Sequence, residues 1–341
     1  MKQSFFVMLM LAAAVGTSAQ TSRVTTLQSA RNLVVKTADG KTGYHFVTTD
    51  KSLMFHKKGT QLTLNNSTMD IGQIQTMRLE IPTKFALDED SATFTPTAVD
   101  HGLLALRYTF RPGQWHSLVV PFPLTGEQVT EAFGQGTQLA GYSGITENDA
   151  AQIDFGLVDL NTSDIALEAG KCYIIRPTRE SDIAVGSTTS VVYGDSKVSG
   201  PAYIIPNVTM EKGKNYVSGQ TLRSAEDNVR MRVSGTYMAQ EVSPAARTFY
   251  YLNDEGRFTQ AAGETEMKAF RNWLIYSKNA NDLPMRFYVN GIDEDLTASI
   301  CAPRQQNASS RQTVYDLQGR RLDGTPKAGL YIINGKKTII R

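Results

Sequence analysis

Histidine and cysteine build most metal centres and many catalytic centres, and this chain has few of either. The residues are His45, His56, His101, His116, Cys172 and Cys301. A zinc site needs such side chains at close and regular spacing, and the sequence has no H-x-x-x-H or C-x-x-C pair. His116 and Ser117 are neighbours, so in a strand they point to opposite faces and do not form a base–nucleophile pair. The spacing therefore predicts neither a metal site nor a catalytic nucleophile.

The most closely spaced acidic residues form two runs, Asp88-Glu89-Asp90 and Asp293-Glu294-Asp295. Calcium loops alternate acidic residues with glycine, so these runs instead indicate solvated charge clusters. Two carboxylates that meet only in space can hydrolyse a glycosidic bond, and no sequence pattern reveals such a pair. A secreted hydrolase acting on glycan or peptide therefore stays open as an alternative function. Since Gly134-Gln135-Gly136 lacks the rest of a phosphate-binding loop, we expect no cofactor.

Three aromatic residues are candidates for ligand binding: Trp115, Tyr142 and Trp273. Aromatic rings stack on the apolar faces of sugars, so these side chains could line a sugar-binding face. The alternative for all three is a place in the core, where most strand Trp and Tyr residues lie. The sequence thus leaves ligand stacking and a place in the core both open for these rings, and it indicates no catalytic group beside them.

The first residues predict export. Met1-Lys2 supplies a positive charge, residues 5–15 are apolar, and Thr17-Ser18-Ala19 supplies small side chains. This layout is typical of a signal peptide at residues 1–19, cleaved between Ala19 and Gln20. The apolar run is too short to cross a bilayer, which takes about 20 apolar residues. We therefore expect a surface, secreted or periplasmic protein with no transmembrane segment in the mature chain.

The chain has 341 residues, of which 41% are hydrophobic and 20% charged, with a formal net charge of +2. This composition can bury real cores, and the length predicts more than one domain. Lys and Arg concentrate after Arg304, so the rest of the mature chain is acidic overall. That balance argues against a nucleic-acid partner.

From Asn32 onward the pattern is one of short strands separated by turn residues such as Asp39-Gly40. One helix is predicted, because Thr125 and Gln128 form a capping box. Its apolar stripe and its stop residue are Val129, Ala132, Phe133 and Gly134. The fold class is therefore all-β, with antiparallel β-sandwich domains, one short helix and a small C-terminal β module.

Changes in composition divide the chain. The predicted parts are a small N-terminal antiparallel β domain (20–98), a larger β-sandwich region of one or two subdomains (99–290), a linker (291–312) and a C-terminal β module (313–341). The linker is polar, and its few apolar residues follow neither the helical nor the strand periodicity. Cys301 lies in it, whereas Cys172 lies in a strand pattern, so the sequence leaves open whether the two pair.

Three strand-like runs make up the C-terminal module: 314–317, 330–333 and 338–340. Asn334-Gly335 between the last two is the pair that a two-residue hairpin turn prefers, since both positions need positive φ. The amino-acid sequence of this module resembles that of the C-terminal sorting domain (type A) of secreted Bacteroidetes proteins. The residues that carry the resemblance are Tyr315, Asp316, Gly319, Arg320, Gly329, Tyr331, Gly335 and Lys336. Three further stretches look like exported Bacteroides- and Prevotella-type proteins: 115–122, 169–176 and 268–274.

The resemblance implies delivery to the cell surface by the type IX secretion system, with the module contacting the secretion machinery or a surface polysaccharide. Together with the predicted signal peptide, it favours a non-enzymatic surface or secreted protein that acts in adhesion, in a matrix or in glycan binding. The expected ligand is a glycan or a host protein. A further hypothesis is a structural subunit that polymerises by strand exchange, because the chain is rich in strands.

Overall fold

The computed structural model describes residues 29–48, 54–56, 59–64, 67–147, 151–189, 197–213, 217–223, 230–243, 248–261, 263–276 and 285–294. It also describes the backbone of four C-terminal strands. The chain forms two units, Met1–Asp295 and Leu296–Arg341. The proposed boundaries at residues 98, 290 and 312 remain predictions. A sheet that pairs 84–88 with 99–107 spans the first of them.

The elements of the first unit begin with β1 (Arg31–Thr37), β2 (Thr42–Val47), β3 (Met54–His56), β4 (Gln61–Leu64), β5 (Ser67–Asp70), β6 (Ile74–Glu80), β7 (Lys84–Asp88), β8 (Val99–Arg107), β9 (His116–Leu118), β10 (Leu124–Thr125), α1 (Gly126–Phe133), β11 (Gln138–Glu147), β12 (Ala151–Leu157), β13 (Ile165–Leu167) and β14 (Tyr173–Arg176). They continue with β15 (Thr188–Thr189), β16 (Val198–Ser199), β17 (Ala202–Met210), β18 (Gln220–Arg223), β19 (Arg230–Gly235), β20 (Gln240–Val242), β21 (Thr248–Leu252), β22 (Phe258–Gln260), β23 (Thr265–Met267), β24 (Asn272–Tyr276), β25 (Met285–Val289) and β26 (Ile292–Asp293). The second unit has β27 (Val314–Tyr315), β28 (Arg321–Leu322), β29 (Gly329–Ile333) and β30 (Lys336–Ile340).

The all-β fold class is confirmed. A six-stranded sheet, in the order β26-β25-β12-β11-β14-β9, shares the largest hydrophobic core with a five-stranded sheet, in the order β18-β19-β24-β21-β22. Rings such as Phe155 on β12 and Phe258 on β22 meet across this core, with centroids 6.1 Å apart. Most strand pairs are antiparallel, but β7 with β8 and β12 with β25 are parallel.

The N-terminal strands form two smaller sheets, ordered β2-β1-β6 and β3-β4-β5. One face of this sheet carries Val34 of β1 and Phe46 of β2; both are buried, and Phe46 belongs to a core that includes Leu103 of β8. The opposite face carries Leu33 and Val35, which form a separate small core with Met69 of β5. Alternation along β1 therefore divides its apolar side chains between the two faces of the sheet, and both sets are buried.

The helix and its boundaries are confirmed. The hydroxyl of Thr125 accepts a hydrogen bond from the Gln128 amide at 3.2 Å, and the Gln128 side chain accepts one from the Thr125 amide at 3.0 Å. The helix ends where Gly134 adopts a φ of 108°, a conformation that glycine reaches without steric cost. The buried stripe on α1 is Val129, Ala132 and Phe133, as the pattern predicts.

Replacing the helix cap tests this reading. Thr125→Ala removes the acceptor for the Gln128 amide, so we expect the unfolding free energy to fall by about 1 kcal/mol, measured by urea denaturation. Thr265→Ala is the control, since its hydroxyl makes one exposed hydrogen bond, to the Gly263 carbonyl at 3.2 Å, outside the helix. Equal losses in both variants would show that the cap does not stabilise the domain specifically.

The sequence reading missed β11, a ten-residue strand in the middle of the six-stranded sheet. The reason is glycine, which weakens strand propensity and occurs at Gly141 and Gly144. At Gly141 a Cβ would lie 3.8 Å from the Tyr173 ring, and the register with β12 shifts between Tyr142 and Gly144. Both glycines thus belong to a bulged strand and not to a loop.

The C-terminal unit is a four-stranded antiparallel sheet in the order β28-β27-β29-β30. The β29–β30 register pairs Ile333 with Lys336, which leaves two residues for the connection. This register agrees with the predicted hairpin, although Asn334 and Gly335 themselves lie outside the described residues.

Candidate binding groove

The three aromatic candidates all lie in the core. Trp115, Tyr142 and Trp273 are 3%, 6% and 7% exposed. The guanidinium of Arg176 lies 4.8 Å from the centroid of the Trp115 ring, and Trp273 packs edge-on against Phe249. Stacking on a sugar requires an exposed ring face, and these burial values leave none. The alternative reading, that strand aromatics are core residues, describes all three.

Tyr142 belongs to a buried polar network. Its hydroxyl donates to Asn272 Oδ1 at 2.6 Å, and Asn272 Nδ2 donates to the carbonyls of Leu118 at 3.1 Å and Tyr173 at 2.8 Å. Burial raises the pKa of Tyr142 well above its ordinary value, so the hydroxyl stays protonated. The network joins β24 to β9, β11 and β14, which connects the two large sheets.

The other predicted site residues lie at the ends of the chain. Ala19 and Gln20 are outside the described residues, as are Asp316, Gly319, Arg320 and Gly335. Tyr315 lies on β27, Gly329 and Tyr331 on β29, and Lys336 on β30. Cys172 is a buried free thiol whose pKa burial raises to about 12, and Cys301 is outside the described residues.

The acidic run at 88–90 does not form the solvated cluster that the sequence suggests, because Glu89 is fully buried. Its carboxylate accepts hydrogen bonds from Arg271 at 2.6 Å, from Lys268 at 3.1 Å and from the Thr109 hydroxyl. Its backbone carbonyl accepts from the Ala269 amide at 2.7 Å. We call Glu89, Thr109, Lys268 and Arg271 the Glu89 cluster.

The pKa shifts of Glu89 and Arg271 determine which chemistry the Glu89 cluster can perform. Burial raises the pKa of Glu89, but the charges of Arg271 and Lys268 and the Thr109 hydroxyl outweigh burial and hold it below the ordinary value. Burial lowers the pKa of Arg271 to about 10, against the pull of Glu89. Both groups are therefore charged at neutral pH. A carboxylate that is ionised and already hydrogen-bonded to its neighbours stabilises the fold and is a poor proton donor.

The second acidic run is also partly buried. Glu294 is 8% exposed and pairs with Arg176 at 3.1 Å, and Asp293 faces Arg286 at 3.8 Å. Among the residues that the structure describes, no group of three or more His, Cys, Asp or Glu side chains is placed to hold a metal ion.

An open groove of about 480 Å³ lies between the sheet β2-β1-β6 and strand β5. Its apolar lining consists of Val35 and Met69, with the ring of His45 beside them. Its polar lining consists of Thr37, Asp39, Lys41, Thr42 and Gln73. We call this the N-terminal groove. An apolar floor with a few polar groups at its edge is the usual composition of a ligand site.

The turn between β1 and β2 holds the rim of the N-terminal groove in place. Asp39 accepts hydrogen bonds from the Thr37 hydroxyl and from the Lys41 amide at 3.3 Å, and it pairs with the Lys41 ammonium at 3.1 Å. The hydrogen bond from Thr37 lowers the pKa of Asp39 to about 2. Gly40 completes the turn with a φ of 87°. The rim therefore presents a fixed carboxylate and, paired with it, an exposed ammonium group.

Burial lowers the pKa of His45, so its imidazole is neutral at physiological pH. A neutral imidazole offers one donor and one acceptor, together with an apolar ring face. Two smaller cavities are described, of about 270 Å³ beside Tyr237 and about 200 Å³ beside Asp159. Among the described residues that line these three cavities, Asp39 lines the groove and Asp159 lines the smallest cavity. No two carboxylates therefore face each other in any of the three.

The sequence reading missed the N-terminal groove. The Asp39-Gly40 turn signal was visible, but Val35 and Met69 belong to different sheets and come together only in the folded chain.

No protein-family model, curated protein or solved structure matches this chain. Within the described part of the chain, no helix has the length and apolar character needed to span a membrane.

Proposed function

We propose that the protein is a non-enzymatic surface or secreted protein that binds a glycan, or a host protein bearing one, in adhesion or in a matrix. The observation that supports this proposal is the N-terminal groove. The half-buried Met69 side chain and the ring of His45 suit the apolar face of a sugar ring. The rim of the groove supplies the donors and acceptors that sugar hydroxyls need, from Asp39, Lys41 and Gln73.

Export is part of the same proposal. It rests on the signal-like residues 1–19 and on the sorting-like motif that runs from Tyr315 to Lys336. Delivery would use the type IX secretion machinery, with the C-terminal module contacting that machinery or a surface polysaccharide. Surface labelling of cells carrying the intact chain or a chain truncated before Val314 tests this part, and loss of labelling only in the truncated form is the expected result.

Groove variants test the binding part. Lys41→Ala combined with Gln73→Ala removes rim hydrogen bonds, so we expect glycan binding on an array to weaken about tenfold or more. Lys171→Ala is the matched control, because it also removes a lysine that pairs with a nearby carboxylate but does not line the groove. Binding that is unchanged in the double variant would exclude the groove as the site.

Two other outcomes would overturn the proposed function itself. The first is a wild-type chain that binds neither glycans nor glycosylated host proteins. The second is release of new reducing ends from a bound glycan, which would favour the secreted hydrolase instead.

A further inference from the structure

The strand β6 forms an edge of its sheet. In the described part of the chain it pairs only with β1, in the sheet order β2-β1-β6. An edge strand directs half of its backbone N–H and C=O groups away from its neighbour, where they can pair with another strand. Natural edges are usually protected by lysine, proline or a bulge. The segment IQTMRLEI from Ile74 to Ile81 contains no lysine or proline, and the first proline after it is Pro82. The register shift against β1 lies at the start of β6, between Ile74 and Thr76, so residues 76–80 pair regularly.

The side chains on this edge are also exposed. Met77 and Leu79 on β6 are 44% and 46% exposed, and Ile81, just after the strand ends, is 59% exposed. The register pairs Val35 with Met77 and Leu33 with Leu79, so these apolar residues share one face of the sheet. Leu33 and Val35 are buried, whereas Leu79 and Met77, which lie beside them on β6, are exposed. The apolar surface of this sheet face therefore continues to its open edge.

The charges on the other face show which partner fits. Arg78 and Glu80 lie on either side of Leu79 and pair with each other at 2.5 Å. If a second β6 runs antiparallel with Leu79 opposite Leu79, each Arg78 lies opposite a Glu80 of the other copy. In the same register, each Met77 lies opposite an Ile81. The segment is thus complementary to itself in both charge and apolar contact.

We propose that two copies of this chain pair through β6 around a twofold axis at Leu79. The two three-stranded sheets then join into one six-stranded sheet, with backbone hydrogen bonds across the centre. Because the same surface is used on both copies, the contact closes at two and does not propagate into a fibre. This inference is independent of the N-terminal groove and of any ligand.

The first test measures mass in solution. The full chain, expressed with its own N-terminal segment and purified, is expected to sediment at twice the monomer mass. At about 0.1 mM, a Kd of about 1 μM would leave nearly all chains paired. Leu79→Lys places two like charges directly opposite each other at the axis, and we expect it to yield monomers. Val185→Lys, at a site that is 77% exposed, is the matched control and should remain dimeric.

The second test separates contacts between copies from contacts within one. Arg78→Glu makes positions 78 and 80 both negative, and Glu80→Arg makes both positive, so each variant alone should dimerise about tenfold more weakly. Mixing the two variants should restore dimers that contain one copy of each, because opposite charges then meet across the axis.

Three results would overturn the proposal: a wild-type chain that stays monomeric at about 0.1 mM, a dimer that survives Leu79→Lys, or single-charge variants that show no preference for each other on mixing. Circular dichroism of every variant confirms that the fold is intact, as expected for substitutions at exposed positions.

Discussion

Arg271→Leu is expected to lower the unfolding free energy by about 3–5 kcal/mol, because it leaves the buried charge of Glu89 without its closest cation. Arg271 donates to Glu89 at 2.6 Å, and its guanidinium carbon lies 3.5 Å from the centroid of the Tyr108 ring. The substitution therefore removes a buried ion pair and a cation–π contact together. Urea denaturation monitored by circular dichroism measures the loss.

The matched control for Arg271 is Arg111→Leu. Arg111 is 54% exposed and faces Asp254 at 3.9 Å, with Asp254 93% exposed. An ion pair of that kind contributes about 0–1 kcal/mol. If both variants lost the same stability, the burial of Glu89 would not be what makes its cluster important.

Acidification gives the Arg271 prediction a second readout. The pKa of Glu89 is below its ordinary value of 4.5 in the folded chain, so its contribution is complete above that pH and is lost as the pH falls through the folded pKa. In Arg271→Leu, burial without the cation raises the pKa of Glu89, and protonation relieves the variant. The stability difference between wild type and variant should therefore narrow as the pH falls from the raised pKa of Glu89 in the variant, above 4.5, to its lowered pKa in the wild type. A difference that is constant with pH would assign the loss to packing and not to charge.

Asn272→Leu is expected to cost about 4 kcal/mol, because three buried polar groups lose their partner at once. They are the carbonyls of Leu118 and Tyr173, at 3.1 and 2.8 Å, and the hydroxyl of Tyr142, at 2.6 Å. Leucine has nearly the shape of asparagine, so the loss of unfolding free energy comes from the missing hydrogen bonds more than from a change in side-chain volume. The same urea denaturation assay measures it.

Tyr142→Phe is the matched variant for Asn272. It removes one donor and leaves the two carbonyl contacts of Asn272 intact, so we expect a loss of about 1 kcal/mol. Comparable losses in the two variants would mean that the carbonyls of β9 and β14 find other partners when Asn272 is replaced.

Local signals in the sequence predicted the local structure well. The capping box of α1 depends on Thr125 and Gln128, three residues apart, and the structure reproduces it. The last strand-like run predicted in the C-terminal module, 338–340, likewise lies within β30 at Lys336–Ile340. In both cases, the residues that determine the helix or strand lie within it or directly beside it.

Contacts between distant segments could not be predicted. Glu89 reads as a solvated acid because its partner Arg271 lies 182 residues away, and no local pattern reveals that pairing. The N-terminal groove likewise depends on the packing of β5 against β1, although its Asp39-Gly40 turn was visible in the sequence. Trp115 and Trp273 were ambiguous because aromatic side chains serve cores and binding faces equally well.

The parallel pairing of β12 with β25 has a consequence for synthesis. Strand β12 ends at Leu157, but its neighbour begins only at Met285, and the register runs from Ala151 beside Met285 to Phe155 beside Val289. While the chain leaves the ribosome, the edge of β12 stays bare until more than a hundred further residues have emerged. The nascent protein thus carries an incomplete sheet for most of its translation, and a chaperone that covers strand edges would meet it in that interval.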